Sequence, residues 1–186
     1  MAANFTIENR ARAIQDIQRS WLFEVSFPRI ADIVPIASEE GLLIRARTCS
    51  IPGRTNEHIE SVFMGTKQVF PGKENFSNTL EVTFEDSEDQ YIFKALYAWK
   101  NKIFNPDPEA EFAGSSEAER KRAGMVTDGF LKMYKFGRQA PTEKWVRFYN
   151  MYPSDIADVA LTYDGNESIK YSVTFKYDLW TLFDAQ

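Results

Sequence analysis

A chain of 186 residues, 44% hydrophobic and 15% aromatic, can bury one proper core and is short for two. Its formal net charge of -5 excludes general nucleic-acid binding through a basic surface, and its single cysteine, Cys49, excludes an intramolecular disulfide. No apolar run approaches the roughly 18 residues of a spanning helix, and the first residues lack the basic region and apolar core of a secretory signal. The sequence therefore predicts a cytosolic protein, or one assembled in a cytosol.

Ile7, Ala11, Ile14 and Ile17 recur at helical spacing in an otherwise polar segment. This stripe is too narrow for a core helix, so residues 1–20 read as an N-terminal arm or helix that docks on something else. Trp21, Phe23, Val25 and Phe27 alternate with Leu22, Glu24 and Ser26, which predicts a first strand ended by Pro28. Residues 42–50 read as a second strand, with Arg45 and Arg47 on one face and Ile44, Ala46 and Thr48 on the other, closed by Pro52-Gly53. Residues 58–70 read as an extended segment broken at Gly65, followed by a turn at Pro71-Gly72. Residues 79–85 are a clear strand with Leu80, Val82 and Phe84 inward.

A helix follows. Ser87 and Gln90 have capping-box spacing, and Ile92, Leu96, Trp99 and Ile103 form its apolar stripe. Residues 105–128 are acidic, small and polar, and read as an insertion loop with one or two helical turns at 116–123. Residues 130–136 resume the sheet. The segment 145–180 then predicts a strand, a turn led by Pro153, a short strand at 159–163, a polar turn and a long closing strand. In that last run Tyr171, Val173, Phe175, Tyr177 and Leu179 share one face. About seven strands and one main helix predict a mostly β sandwich or barrel of two packed antiparallel sheets, a single domain over 21–186.

No chemistry competes with this scaffold. His58 is the only histidine, so a hydrolase triad or a histidine metal cluster lacks partners. The acidic run 85–89 has neither the ligand alternation nor the downstream glutamate of a calcium loop, and fits a helix start. Phe70-Pro71-Gly72-Lys73 lacks phosphate-loop spacing. Asp164-Gly165-Asn166 is explained by turn chemistry, and Tyr149, Tyr152, Tyr171 and Tyr177 by alternating core packing rather than base stacking. Neither enzyme activity, nor a cofactor, nor a metal is expected.

An ordered series of motifs carries a resemblance. Trp21-Leu-Phe-Glu-Val-Ser-Phe precedes Ile44-Arg-Ala-Arg-Thr-Cys-Ser-Ile-Pro52-Gly53 and Phe63-Met64-Gly65; Leu80-Glu-Val-Thr-Phe-Glu-Asp leads into a helix ending Tyr97-Ala-Trp99. Tyr152-Pro153-Ser154-Asp-Ile-Ala and the run from Ser168 to Trp180 close it. Over residues 21–180 the chain resembles the tail tube proteins of contractile-tailed, T4-like bacteriophages, whose fold is shared with type VI secretion tube proteins. Residues 28–41 and 103–129 depart from that pattern. The resemblance implies a structural virion protein, assembled in the host cytoplasm, whose homohexameric rings stack into a hollow tail tube. The implied partners are the sheath protein, baseplate and tail-terminator proteins, and phage DNA passing through the lumen without specific binding; no membrane is implied.

On this reading free strand edges are closed by neighbours in a ring. The arm (Ile7, Ala11, Ile14, Ile17) and the connection after Pro52 (Arg54, Asn56, Glu57, His58) are candidates for inter-ring contact. Glu81 and Glu85 are lumen candidates on a net acidic inner wall. The competing readings are a tube initiator or terminator ring, a secretion-system tube protein, and, from another class, a monomeric β-barrel that binds a small ligand or nucleic acid.

Overall fold

Alternation in the sequence becomes a nine-strand framework in the computed structural model. The structure describes residues 20–75, 77–104, 124–134, 141–163 and 168–184, with the backbone alone at 141–145 and 183–184. In chain order it forms β1 (Phe23–Ser26), α1 (Ile30–Ile33), α2 (Glu39–Arg45), β2 (Ala46–Cys49), β3 (Thr55–Phe63) and β4 (Thr66–Asn75). There follow β5 (Thr79–Glu85), α3 (Tyr91–Ile103), β6 (Thr127–Tyr134), β7 (Pro141–Ile156), β8 (Lys170–Lys176) and β9 (Leu179–Asp184). Among the described residues seven strands make one antiparallel sheet in the order β1-β6-β7-β8-β5-β2, with β9 also on β7, and β3 and β4 pair only with each other.

The long strand β7 belongs to two halves of the sheet. Its first part lies between β6 and β9, and Tyr152–Ile156 pair with β8. At the junction Asn150 takes a positive φ of 55° and its amide bonds Asp178 at 2.8 Å. The chain bends there, as strands do when one strand serves two packed layers. Val25, Leu131, Val146 and Phe148 from the first half and Val82, Phe84, Val173 and Phe175 from the second meet in one buried cluster. The expected pair of sheets is thus one sheet curled onto itself, with β3–β4 as a separate ribbon.

Helix α3 plugs the curl. Its apolar stripe buries Ile92, Leu96 and Trp99, as the sequence spacing predicts. The Trp99 ring lies 6.0 Å from Phe27 and 5.7 Å from Phe175, and its indole N–H donates to Met125 O at 2.8 Å. The helix start is held differently from the capping-box expectation. Gln90 is the N-cap residue, with φ 54° and no side-chain cap bond. Instead Asp86 accepts from the amides of Ser87, Ile92 and Phe93, and Asp89 from Tyr91. Carboxylates at this end satisfy orphan donors and complement the helix dipole.

Several other expectations are corrected. Pro71 and Gly72 make no turn; they lie within β4, with Pro71 opposite His58. Residues 42–45 are not strand: they complete α2, which Ser38 caps by accepting the Gly41 amide at 3.1 Å, with Glu39 and Glu40 in its first turn. Pro153 makes no turn; it lies within β7, opposite Phe175. Residues 159–163 pair with no strand. The closing strand is two: Val173, Phe175 and Tyr177 are buried, but the parity then shifts, leaving Leu179 exposed and Trp180 buried. Strand β6 begins at Thr127, inside the span expected to be insertion; residues 105–123 of that span, and residues 1–19 of the arm, lie outside the described residues.

Candidate functional site

The β3–β4 ribbon is the feature that stands apart. Met64 and Gly65 join its strands with φ values of 47° and 79°, the twist that a two-residue hairpin prefers. Every residue of β3 is exposed, as are Thr66–Pro71 of β4. Register places Ile59 opposite Phe70, Ser61 opposite Gln68 and Phe63 opposite Thr66. Cross-strand partners share a face, so one face is uncharged and partly aromatic over its outer half. The other face holds His58, Glu60 and Lys67, with Lys67 Nζ 2.5 Å and His58 Nε2 3.4 Å from Glu60 Oε1.

The root of the ribbon is anchored. Arg54, just before β3, pairs with Glu74 at 2.8 Å, and its guanidinium lies 4.8 Å from the centre of the Trp180 ring. Glu57 accepts from the Asn75 side chain at 2.7 Å. A bulge lies between Asn56 and His58, and a Cβ at Gly72 would approach the Glu57 carbonyl to 3.0 Å. Arg54, Asn56, Glu57 and His58 therefore sit together on the root half of the ribbon. Sequence reasoning selected these polar residues and passed over the exposed apolar ones beyond them, Ile59, Val62, Phe63, Met64, Val69 and Phe70. The signal that could have found them was Gly65 between two extended runs of nine and ten residues.

Glu81 and Glu85 lie on β5, on the outward face of the second half-sheet. Register puts Lys176, Thr174, Ser172 and Lys170 of β8 on that face opposite Thr79, Glu81, Thr83 and Glu85, and Tyr152 and Asp155 of β7 beyond them. Glu81 accepts from the Ser172 hydroxyl at 2.9 Å, and Glu85 pairs with Arg47. Hydrogen bonds from Ser168 and Arg47 hold the Glu85 carboxyl below the usual carboxylate range. Among the described residues this face sets Glu81, Glu85 and Asp155 against Arg47, Lys170 and Lys176, with hydroxyls between them. It is charge-balanced rather than acidic.

Strand edges are the third feature. β1, β2 and β9 each pair on one side only among the described residues. Burial pushes the half-buried Cys49 thiol up to about 12, away from a reactive thiolate. Among the described residues no three His, Cys, Asp or Glu side chains gather as a metal site, and no helix is long and apolar enough to cross a membrane.

A family model described as phage tail tube protein matches residues 18–182, most of the chain. The chain belongs to the phage tail tube protein family. The tail tube protein is accordingly a structural component of a phage-like tail, not an enzyme. It is similar in fold to a chain of the sheath-tube complex of an extracellular contractile injection system (PVC) in the extended state. That match has a TM-score of 0.58 and 13% identity, and covers 97% of this chain and 99% of that one. It is also similar to a tube-terminating cap of the anti-feeding prophage, with TM-score 0.62, 15% identity and both chains fully covered (100% and 100%). A sheath/tube terminator of the PVC system gives TM-score 0.61 and 12% identity over 91% of this chain and 98% of that one. At such identities the likeness is one of fold. No curated protein sequence matches the tail tube protein.

Proposed function

We propose that this tail tube protein is the repeating subunit of a hollow tube, in which rings of six copies stack coaxially inside a contractile sheath and DNA passes through the lumen. The observation that carries this reading is the β3–β4 ribbon. A monomer has little reason to hold Ile59, Phe63, Met64 and Phe70 in solvent, and a contiguous exposed apolar surface marks an interaction site. The one-sided strands β1, β2 and β9 supply edges that ring neighbours can cover. Six copies per ring, the sheath and the baseplate are partners that the family resemblance implies.

The balanced outward face around Glu81 and Glu85 suits a wall past which a polyanion slides, because neither sign of charge dominates it. Non-adhesion on that wall rests on pairing and hydroxyls, and the overall charge of -5 adds repulsion outside the ion pairs. Size-exclusion chromatography with negative-stain microscopy tests the proposal. Rings or tubes of six-fold outline are expected; a lone 21.5 kDa species across the concentration range would overturn it. Copy number in the purified particle separates a main tube subunit, present in many stacked rings, from an initiator or terminator that forms one.

A further inference from the structure

We propose that Asn150 and Asp178 are positioning residues for assembly: bonded to each other, they fix the angle at which each copy offers its strand edges to its ring neighbours. This rests on the ring reading and names the residues that set the ring's curvature. The chain passes from the first half-sheet to the second within β7, at Asn150, and returns between β8 and β9, at Asp178. These two crossings are tied together. Asn150 Nδ2 donates to Asp178 Oδ2 at 2.8 Å, and the Asp178 amide donates to Tyr149 O at 3.0 Å. A third segment joins them from between β4 and β5. There Asn78, at φ 50°, accepts from the Tyr177 amide at 3.2 Å and donates from its side chain to Asp178 O at 3.5 Å.

The bend is held from β6 as well. Thr127 stands opposite Met151 and Gly129 opposite Phe148, so Asp128 alone faces Tyr149 and Asn150. That two-against-one count is a β-bulge, which bends the bulged strand and raises its twist. Asp128 accepts from the Asn150 amide at 3.4 Å and from Arg147 Nη2 at 2.7 Å, and the Arg147 guanidinium lies 4.6 Å from the centre of the Tyr149 ring. Glycine would meet the backbone demand at Asn150 equally well; what it would lack is the bond to Asp178. Strand β9 starts at Leu179, so the bond that fixes the bend also fixes where the β9 edge leaves the crossing. Edges β1 and β9 belong to the half-sheet before the bend and β2 to the half after it. A ring subunit meets its two neighbours through different patches, and the ring closes only if the rotation between them divides a full turn. With six copies, an error of about 10° per subunit accumulates to about 60°, the share of one whole copy. Asp178 is exposed and Asn150 half-buried, so their bond acts on this angle and adds little to the core.

The test uses the full chain and exchanges donor and acceptor. Asn150→Asp sets two carboxylates against each other where one hydrogen bond was, and adding Asp178→Asn restores the bond with the roles reversed. Closed six-fold rings, counted in negative-stain class averages, should fall at least about tenfold in Asn150→Asp, the loss that a misfit of about 1.4 kcal/mol gives. Open arcs or rings of another copy number should replace them, and closed rings should return in the double variant. Asn150→Gly keeps the left-handed backbone and removes only the bond; it should lose rings in the same way, and it carries the test if Asn150→Asp does not fold. Urea midpoints of unassembled Asn150→Gly and of the double variant should stay close to that of the wild type. Closed rings of normal copy number from Asn150→Gly, or a double variant with no more rings than Asn150→Asp, would overturn the proposal and leave the ring reading standing. A midpoint that falls in step with the rings across the variants would also overturn it, because the pair would then hold the fold rather than the angle. A wild-type chain that never forms rings would remove the ring reading itself, and this inference with it.

Discussion

Two phenylalanines of this chain should respond in opposite ways to the same truncation. Phe175 is 0% exposed, with Phe27, Trp99 and Phe84 around it at ring distances of 5.3, 5.7 and 6.4 Å. Burying such a side chain contributes about 1.5–3 kcal/mol. The cavity left by Phe175→Ala adds to that, because its walls belong to β5, α3 and the segment after β1 and cannot all close inward; the expected loss is about 3–5 kcal/mol. With a urea slope of about 1–3 kcal/mol/M, the unfolding midpoint should fall by roughly 2 M. Phe63, 69% exposed at the ribbon tip, has no core to leave. Phe63→Ala should change monomer stability by less than about 0.5 kcal/mol while removing long polymers. Tryptophan fluorescence in urea, at concentrations below assembly, reads the first quantity; electron microscopy reads the second. Equal midpoint shifts for the two variants would refute the claim that the ribbon stands off the core. Normal tubes from Phe63→Ala would remove the tip from stacking.

Deleting residues 4–18 should leave the β-domain folded by circular dichroism and abolish long tubes; loss of the sheet signal would place the arm in the core instead. His58→Ala and Cys49→Ser should assemble normally, and native Cys49 should resist iodoacetamide at pH 8 until the chain is unfolded, because its thiol is pushed up to about 12; rapid native labelling would contradict its burial. Glu85 is held below the usual carboxylate range, first by Ser168 and then by Arg47. Its stabilising effect is therefore present above the unfolded carboxyl value and lost as pH falls through the folded one. In Arg47→Gln its NMR titration should move up toward that ordinary range, and an unchanged curve would remove Arg47 from the causes and leave Ser168 and Lys170.

The elements legible in the sequence were those whose pattern is local. Leu80, Val82 and Phe84 needed only one wet and one packed face, and Ile92, Leu96 and Trp99 only a helical stripe; both are where they were expected. The family resemblance rested on the order of such motifs, and it held. Tertiary contacts decided the rest. Ile44 and Ala46 alternate like a strand, yet the Ser38 cap and the Tyr91 hydroxyl bonded to the Ser38 amide at 2.6 Å set a helix through Arg45. Tyr177 and Leu179 have the spacing of one face, but the bend of β7 at Asn150 turns β9 onto the other half-sheet and buries Trp180 instead. Ile59, Phe63 and Phe70 read as ordinary strand hydrophobes. Only the structure shows that the ribbon carrying them leaves the core, because a sequence pattern encodes which residues share a face and not what, if anything, lies across from that face.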